Sequence, residues 1–339
     1  MKEIKSLILR ITERCNLKCA YCYAADSGCS LVDMSADTAI RAVELCCPKG
    51  GSLRIQFTGG EPLLNMEAME AVHAFGRATN RRLSLAVQTN GTLLTKENCR
   101  KLAAMNCAVG VSLDGMQSTN RLRRFPDDTP CFDAVVQGIR NLGDCGKRCN
   151  LTTVVTSGNA KHLGHLPDLA LWLGNVSGVG LDLFRPLGRG SAQNLTPTEA
   201  DLHNGLAELI RKTKEIQSVG IPLRLRELER IKKRIACNGR GDIYCYAQTE
   251  QSLCVDAAGN CWPCSSLAGK NGYLLGNIRS GLPEMFCVTA LLKPTDTCKK
   301  CSAFAYCAGG CPAGRTALAG EPDPMTCVMN RILLEEFNL

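Results

Sequence analysis

The sequence is poor in aromatic residues: Trp 2, Tyr 6 and Phe 8 among 339 residues. Proteins that grip single-stranded nucleic acid stack its bases on aromatic side chains, and this chain offers few, so no nucleic-acid partner is expected. Long hydrophobic runs are missing as well. None approaches the roughly 18 apolar residues of a membrane-spanning helix, so no membrane role is expected. Met1 to Arg10 has neither the apolar core nor the small-residue cleavage site of a secretory signal, which predicts a cytoplasmic location. The 4 histidines, His73, His162, His165 and His203, show no metal-binding spacing. No internal repeat or low-complexity tract is visible. The formal charge of +8 is modest. Its densest part, with Arg224, Arg226, Arg230, Lys232, Lys233 and Arg234, is interrupted by Glu227 and Glu229 and reads as a solvated helix face, with an acidic peptide partner as a weaker alternative.

What the chain has in excess is cysteine, 22 residues. Short secreted domains use cysteine for disulfides, but this chain is long enough for more than one domain and carries no export signal. Clustered thiols in a reducing compartment point instead to metal ligands. The densest cluster is Cys15-Asn16-Leu17-Lys18-Cys19-Ala20-Tyr21-Cys22. Thiolates suit zinc and iron–sulfur clusters, and so short a loop can aim three of them at one centre. A 4Fe–4S cluster usually takes four cysteines; three would leave one iron open.

Periodicity gives an α/β fold. Strands are predicted at Ser6–Ile11, Leu53–Phe57, Leu83–Gln88, Ala108–Leu113, Leu151–Thr156 and Val179–Phe184. Between them lie helices capped by Ser35, Asn65 and Thr95, and others near Phe132–Leu142 and Leu163–Leu173. Alternation at this spacing argues for a parallel sheet with right-handed crossovers. The strands read as apolar on both faces, as in sheets covered on both sides. From Pro197 to about Ala236 the pattern is helical, broken at Gly220-Ile221-Pro222. After Cys237 short Gly- and Cys-rich segments take over. A domain boundary is therefore placed near residue 236, giving domains 1–236 and 237–339.

The Cys-x3-Cys-x2-Cys run, with Tyr21 before its last thiol, resembles the signature of the radical S-adenosylmethionine (SAM) superfamily. The resemblance implies a partial (β/α)6 TIM-type barrel with a 4Fe–4S cluster on Cys15, Cys19 and Cys22. Gly59-Gly60-Glu61-Pro62 follows a strand and resembles that family's GGEP motif, which implies that it holds the SAM amino group, Glu61 supplying a carboxylate. Gln88-Thr89-Asn90-Gly91 and Ser112-Leu113-Asp114-Gly115 resemble its next two motifs. They imply SAM contacts from Gln88, Asn90, Ser112 and Asp114, with Ser112 preferred for the SAM carboxylate. Arg123 matches an arginine that follows in many relatives, although the His-Asp common before it is Thr119-Asn120 here. Tyr21 is expected to pack on the adenine side.

Farther on, Cys245-x13-Gly259-x4-Cys264, Cys298-x2-Cys301-x5-Cys307-x3-Cys311 and a last Cys327 resemble the seven-cysteine SPASM domain. This implies two auxiliary 4Fe–4S clusters: Cys298, Cys301, Cys307 and Cys327 hold the distal one, and Cys245, Cys264 and Cys311 the inner one. The inner cluster's fourth position falls to Cys254, to Cys261, or to neither. Zinc is the rival from spacing alone, with Cys261-x2-Cys264 and Cys298-x2-Cys301 as a ribbon, but that would strand Cys307, Cys311 and Cys327. The other cysteines (Cys29, Cys46, Cys47, Cys99, Cys107, Cys131, Cys145, Cys149, Cys237 and Cys287) read as small hydrophobes, any one of them a candidate hydrogen-atom donor.

The resemblance implies an enzyme that reductively cleaves SAM to a 5′-deoxyadenosyl radical, which takes a hydrogen atom from a peptide or protein. The expected products are a thioether, a carbon–carbon link or an oxidised side chain. The residue after Cys264 is Ser265, where sulfatase maturases carry an Asp, so formylglycine formation is not expected. Only 14 residues precede Cys15, so no leader-binding domain is expected ahead of the barrel. A separate leader-recognition protein and a flavodoxin or ferredoxin reductant are the implied partners. The alternatives are radical chemistry on a small molecule such as a sugar or tetrapyrrole, and a non-catalytic metal-binding or electron-transfer protein.

Overall fold

The computed structural model describes residues 3–25, 32–237, 243–281, 292–318 and 320–338. Six parallel strands form its centre: β1 (Ser6–Thr12), β2 (Ser52–Gly59), β3 (Arg82–Thr89), β4 (Ala108–Ser112), β5 (Cys149–Val155) and β6 (Val176–Leu183). Helices α1 (Ala36–Cys46), α2 (Met66–Ala78), α3 (Lys96–Ala104), α4 (Phe132–Asp144) and α5 (Leu166–Leu173) alternate with them. Ser35, Asn65 and Thr95 cap α1, α2 and α3 by accepting from the backbone N–H of Thr38, Ala68 and Asn98. Each such cap is worth about 1 kcal/mol. In β1, Leu7, Leu9 and Ile11 are fully buried against the helical layer, each contributing roughly 1.5–3 kcal/mol by leaving water.

The opposite face differs from the expectation of strands apolar on both sides. In β2 exposed or half-exposed Arg54, Gln56 and Thr58 alternate with buried Leu53, Ile55 and Phe57. Helices cover only one face of the sheet. The other encloses space, so its residues are polar.

After β6 come α6 (Glu199–Ser218), a two-residue β7 (Arg224–Leu225) and α7 (Arg226–Ala236). Gly220, at φ +86°, makes the break between the two helices. The sheet does not stop at residue 236. β8 (Ser252–Val255) pairs in parallel with β1, and β9 (Asn260–Trp262) and β10 (Gly276–Asn277) follow antiparallel. The complete order is β10-β9-β8-β1-β2-β3-β4-β5-β6-β7. Four short helices end the chain: α8 (Asp296–Lys299), α9 (Phe304–Cys307), α10 (Pro312–Thr316) and α11 (Pro324–Glu335). Val328, Ile332 and Leu333 of α11 join the same core as Leu206 and Leu209 of α6, so the Cys-rich segment is packed onto the barrel segment. Among the described residues no helix is long and apolar enough to cross a membrane.

Candidate active site

The C-terminal ends of β1 to β6 surround a cavity of about 330 Å³. Cys15, Cys19, Cys22 and Tyr21 line it from the loop after β1, with Gly59 and Gly60, Gln88 and Asn90, Ser112, Arg123 and Ser265 around the rim. Ligands bind at this edge in parallel α/β folds. The chain forms the loop here because β2 ends on two glycines. A Cβ on Gly59 would lie 2.0 Å from the Thr12 carbonyl oxygen, and one on Gly60 would lie 2.1 Å from that of Arg14. The thiol loop therefore rests directly on the glycine pair.

The three thiols are electrostatic neighbours. Burial pushes Cys19 up to about 12, the nearby Arg123 charge opposes the shift, and Cys22 and Cys15 add to it. Cys15 is also raised, first by burial, while the Leu17 N–H at 3.4 Å from its Sγ works the other way. Thiols held this way shed protons when a metal binds. Arg123 is buried and its Nε has no partner. Arg123 lines the cavity beside the thiols as a buried cation, and a cation is what an anionic ligand group would pair with, so the residues present fit both a three-thiolate cluster and a carboxylate-bearing cofactor.

Three residues assigned to SAM from sequence stand behind the cavity wall. The Glu61 carboxylate is fully buried. It accepts from the Leu63 N–H at 3.1 Å, the Thr89 hydroxyl at 2.6 Å and the Asn90 N–H at 2.7 Å, so it straps β2 to β3. Pro62 only opens the 3₁₀ turn that follows. Asp114 accepts from the Tyr21 hydroxyl and from the Val154 N–H at 2.9 Å, and Asn120 accepts from its backbone N–H at 3.0 Å. Tyr21 is also held by Arg123, whose Nη1 donates to it at 2.9 Å. That buried network fixes the Tyr21 ring at the cavity. Gln88 donates to Ser112 at 3.0 Å, and Asn90 Nδ2 donates to the Asn16 side-chain Oδ1 at 2.8 Å and reaches the Cys15 Sγ at 3.9 Å.

Other contributors carried no motif. Arg10 in β1 is buried; it pairs with Glu13 and donates to the Ser265 carbonyl at 3.1 Å, joining the first strand to the loop after Cys264. Arg189 donates from Nε to the Cys19 carbonyl and from its backbone to that of Cys22, both at 3.1 Å. Gly188 precedes it at φ +56°, and a Cβ there would meet the Cys22 carbonyl at 2.4 Å. A clamp from beyond β6 thus closes on the thiol loop. Arg185 donates to Ser266 at 3.4 Å and to the Cys311 Sγ at 3.9 Å.

The C-terminal cysteines form two groups. Cys298, Cys301, Cys307 and Cys327 line a cavity of about 120 Å³ with Cys311 at its edge. Ala308, Gly309 and Gly310 all have positive φ, and buried Arg315 holds this turn by donating to the carbonyls of Gly309 and Gly310. Cys245, Cys264 and Cys311 pack together on Ala247, Leu267, Leu292 and Ala313; burial pushes Cys264 up to about 12, with Cys311 and Cys245 adding to it. Strand alternation separates the two candidates for a fourth ligand. Cys254 lies on the interior side with Trp262 and Ile8, within electrostatic reach of Cys264. Cys261 points into the main core, towards Cys46. Among the described residues no three His, Cys, Asp or Glu side chains converge on one point as ligands of a single ion would.

Cys46, Cys47, Cys99, Cys107, Cys131 and Cys149 are buried, Cys145 is half-buried and Cys237 is exposed. Cys29 and Cys287 lie outside the described residues. Among the described residues, only the Cys15-Cys19-Cys22 set of thiols lines the upper cavity. His162 and His165 stack on each other at 5.5 Å.

Residues 9–168 match the Radical SAM superfamily. The chain is 30% identical over 277 residues to the uncharacterized protein MJ0907 of Methanocaldococcus jannaschii, covering 81% of this chain and 89% of that one. The chain belongs to the radical SAM superfamily. It is also 31% identical over 170 residues to the Fe-coproporphyrin III synthase of Methanosarcina barkeri, 50% of this chain and 41% of that protein. The solved structure of anSMEcpe with bound AdoMet and Kp18Cys peptide superposes with a TM-score of 0.83 at 23% identity, covering 98% of this chain and 96% of that one. This radical SAM enzyme therefore has a SPASM-like Cys-rich segment on a radical SAM-type α/β fold. Its family implies SAM and a 4Fe–4S cluster.

Proposed function

We propose that this enzyme modifies a peptide or protein by hydrogen abstraction, with one SAM-binding and two auxiliary 4Fe–4S clusters. The observation that carries the reading is the placement of three thiols and the Arg123 cation on one cavity at the sheet edge, where Arg185 also reaches the SPASM-type Cys311. When bound, the cluster and SAM supply reductive cleavage of the sulfonium and a carbon radical. The chain's own part is to hold and shield. Cys15, Cys19 and Cys22 hold the first cluster. Arg123 and Ser112 receive the SAM carboxylate, and the carbonyls of Gly59 and Gly60 receive its amine, since Glu61 is engaged elsewhere. Cys298, Cys301, Cys307 and Cys327 hold the distal cluster, and Cys245, Cys264 and Cys311 the inner one. Ser265 and Ser266 line the cavity next to Cys264; among the described residues the carboxylate lining the same cavity is Asp182 of β6, which is paired with Arg226 at 3.0 Å. The fold shared with anSMEcpe, solved with a peptide, supports a peptide substrate. The relationship to Fe-coproporphyrin III synthase keeps a tetrapyrrole as the second reading.

The test is anaerobic reconstitution, followed by incubation with SAM, dithionite and peptides encoded beside the gene. Peptide-dependent loss of hydrogens by mass spectrometry is expected, and Cys15→Ala, Cys19→Ala and Cys22→Ala should make no 5′-deoxyadenosine. Turnover of a porphyrin, with no peptide altered, would refute the peptide reading.

A further inference from the structure

A second cavity, of about 950 Å³, shares Thr152 and Arg226 with the first. Two inward positions of β6 are glycines. A Cβ on Gly180 would lie 2.7 Å from the Arg226 Cζ, and one on Gly178 would lie 2.8 Å from the Arg224 carbonyl oxygen. Closed barrels fill such positions with branched side chains; here the glycines admit the Arg226 guanidinium and the Arg224 backbone.

The wall of this chamber is cationic. Helix α7 contributes Arg226, Arg230, Lys233 and Arg234, at spacings of four, seven and eight residues that place them on one face. Arg54 from β2 and Arg224 from β7 line it too. The run is solvated, as the sequence suggests, with Arg224, Arg226, Lys232 and Lys233 exposed, and the same face also lines this cavity. Glu229, the one acid lining it among the described residues, is turned to Lys232 at 3.0 Å. Arg226 is paired with Asp182 at 3.0 Å and Glu227 at 2.8 Å. Arg54, Arg224 and Lys233 have no ion pair among the described residues. The buried Nε of Arg230 has no partner, although its Nη atoms reach the Tyr244 hydroxyl and Asn330. Burial, and after it the Arg230 charge, hold the Arg234 guanidinium below its usual range. Among the described residues, the cations lining the chamber outnumber the acids lining it.

The shape of this charge selects a ligand. From Arg226 to Arg234 the stripe runs about 12 Å along the helix, so a compact anion would meet only part of it, whereas carboxylates spaced along an extended chain would meet all of it. β7 pairs with β6 only at Gly178 and Val179, and just beyond it the Leu181 carbonyl accepts from Arg226 Nη2. We propose that the chamber receives an acidic stretch of the substrate peptide, its Asp and Glu carboxylates paired with Arg54, Arg224 and Lys233. That docking would present the residue to be modified at the adjoining SAM cavity. The proposal rests on the peptide reading above.

The test uses reconstituted holoenzyme and fluorescein-labelled hexaglutamate, with hexaglutamine as the neutral control and inorganic triphosphate as competitor. Hexaglutamate is expected to bind at least tenfold more tightly than hexaglutamine, with a steep salt dependence. The double variant Arg224→Gln/Lys233→Gln, checked for unchanged iron content and melting temperature, should weaken it at least fivefold. Equal binding of the two peptides, or an unaffected double variant, would overturn the proposal. So would triphosphate capture that the variant abolishes while hexaglutamate fails to bind. A substrate peptide modified equally fast after its Glu residues become Gln would sink this inference and leave the peptide reading standing. If no peptide, acidic or neutral, is modified, the peptide reading has failed and this proposal falls with it.

Discussion

Glu61 is where motif and structure assign different work, and Glu61→Gln separates them. By the motif its carboxylate meets the SAM amine. In the structure one carboxylate oxygen accepts from the Leu63 N–H and the Thr89 hydroxyl, and the other from the Asn90 N–H. Gln preserves the shape but turns one oxygen into an NH2 group. With the amide oxygen kept against Leu63 and Thr89, the amide nitrogen faces the Asn90 N–H, donor against donor. Losing a hydrogen bond to a charged acceptor costs roughly 1.5–3 kcal/mol, and stranding the buried N–H adds about 1–3 kcal/mol. Against this, burial raises the Glu61 pKa, so the neutral amide escapes part of the desolvation the carboxylate suffers. The expected net loss is about 1–3 kcal/mol, because the terms overlap. SAM affinity should change no more than a few-fold, since the side chain does not line the cavity. Urea unfolding of the cluster-free protein under argon measures the first quantity, and equilibrium dialysis of SAM on the reconstituted enzyme the second. A stability change below about 0.5 kcal/mol, together with a tenfold or greater loss of SAM affinity, would refute the strap and restore the motif's assignment.

Two further outcomes are expected. Cys261→Ala should keep the full iron and sulfide complement after reconstitution, since Cys261 faces Cys46 in the helical core; loss of a cluster's worth of iron would place it among the ligands. The cluster-free protein should weaken in alkali. Burial pushes Cys46, Cys107 and Cys149 up to about 12, against roughly 8.5 in the unfolded chain. Their folded values are raised, so their contribution is complete below about pH 8.5 and is lost as pH climbs towards 12. Each thiol then removes about 1.4 kcal/mol per pH unit, and the three together about 4 kcal/mol. Urea midpoints between pH 8 and 10.5 check this, with the triple alanine variant giving the shallower dependence. A profile that is the same in both proteins contradicts the burial argument.

Local features were legible in the sequence because their causes are local. Helix caps at Ser35, Asn65 and Thr95 depend on a side chain and a backbone N–H three residues on. The thiol spacing of residues 15–22 depends on one loop. What stayed hidden depends on pairs far apart in the chain: Arg10 meets the Ser265 carbonyl across 255 residues, and Arg189 meets that of Cys19 across 170. No window of sequence contains both partners. The strand faces were hidden for another reason. Arg54, Gln56 and Thr58 break the apolar pattern of β2, and a sheet covered on one side only makes sense of them. The same alternation separates two thiols that spacing left together. Cys261 and Trp262 are neighbours on β9 and so face opposite ways. With Trp262 packed beside Cys254 on the interior side, Cys261 is carried into the helical core, whatever its distance in sequence from Cys264. Spacing thus limits which thiols can meet, while the register of β8 against β1 decides which ones face the interior.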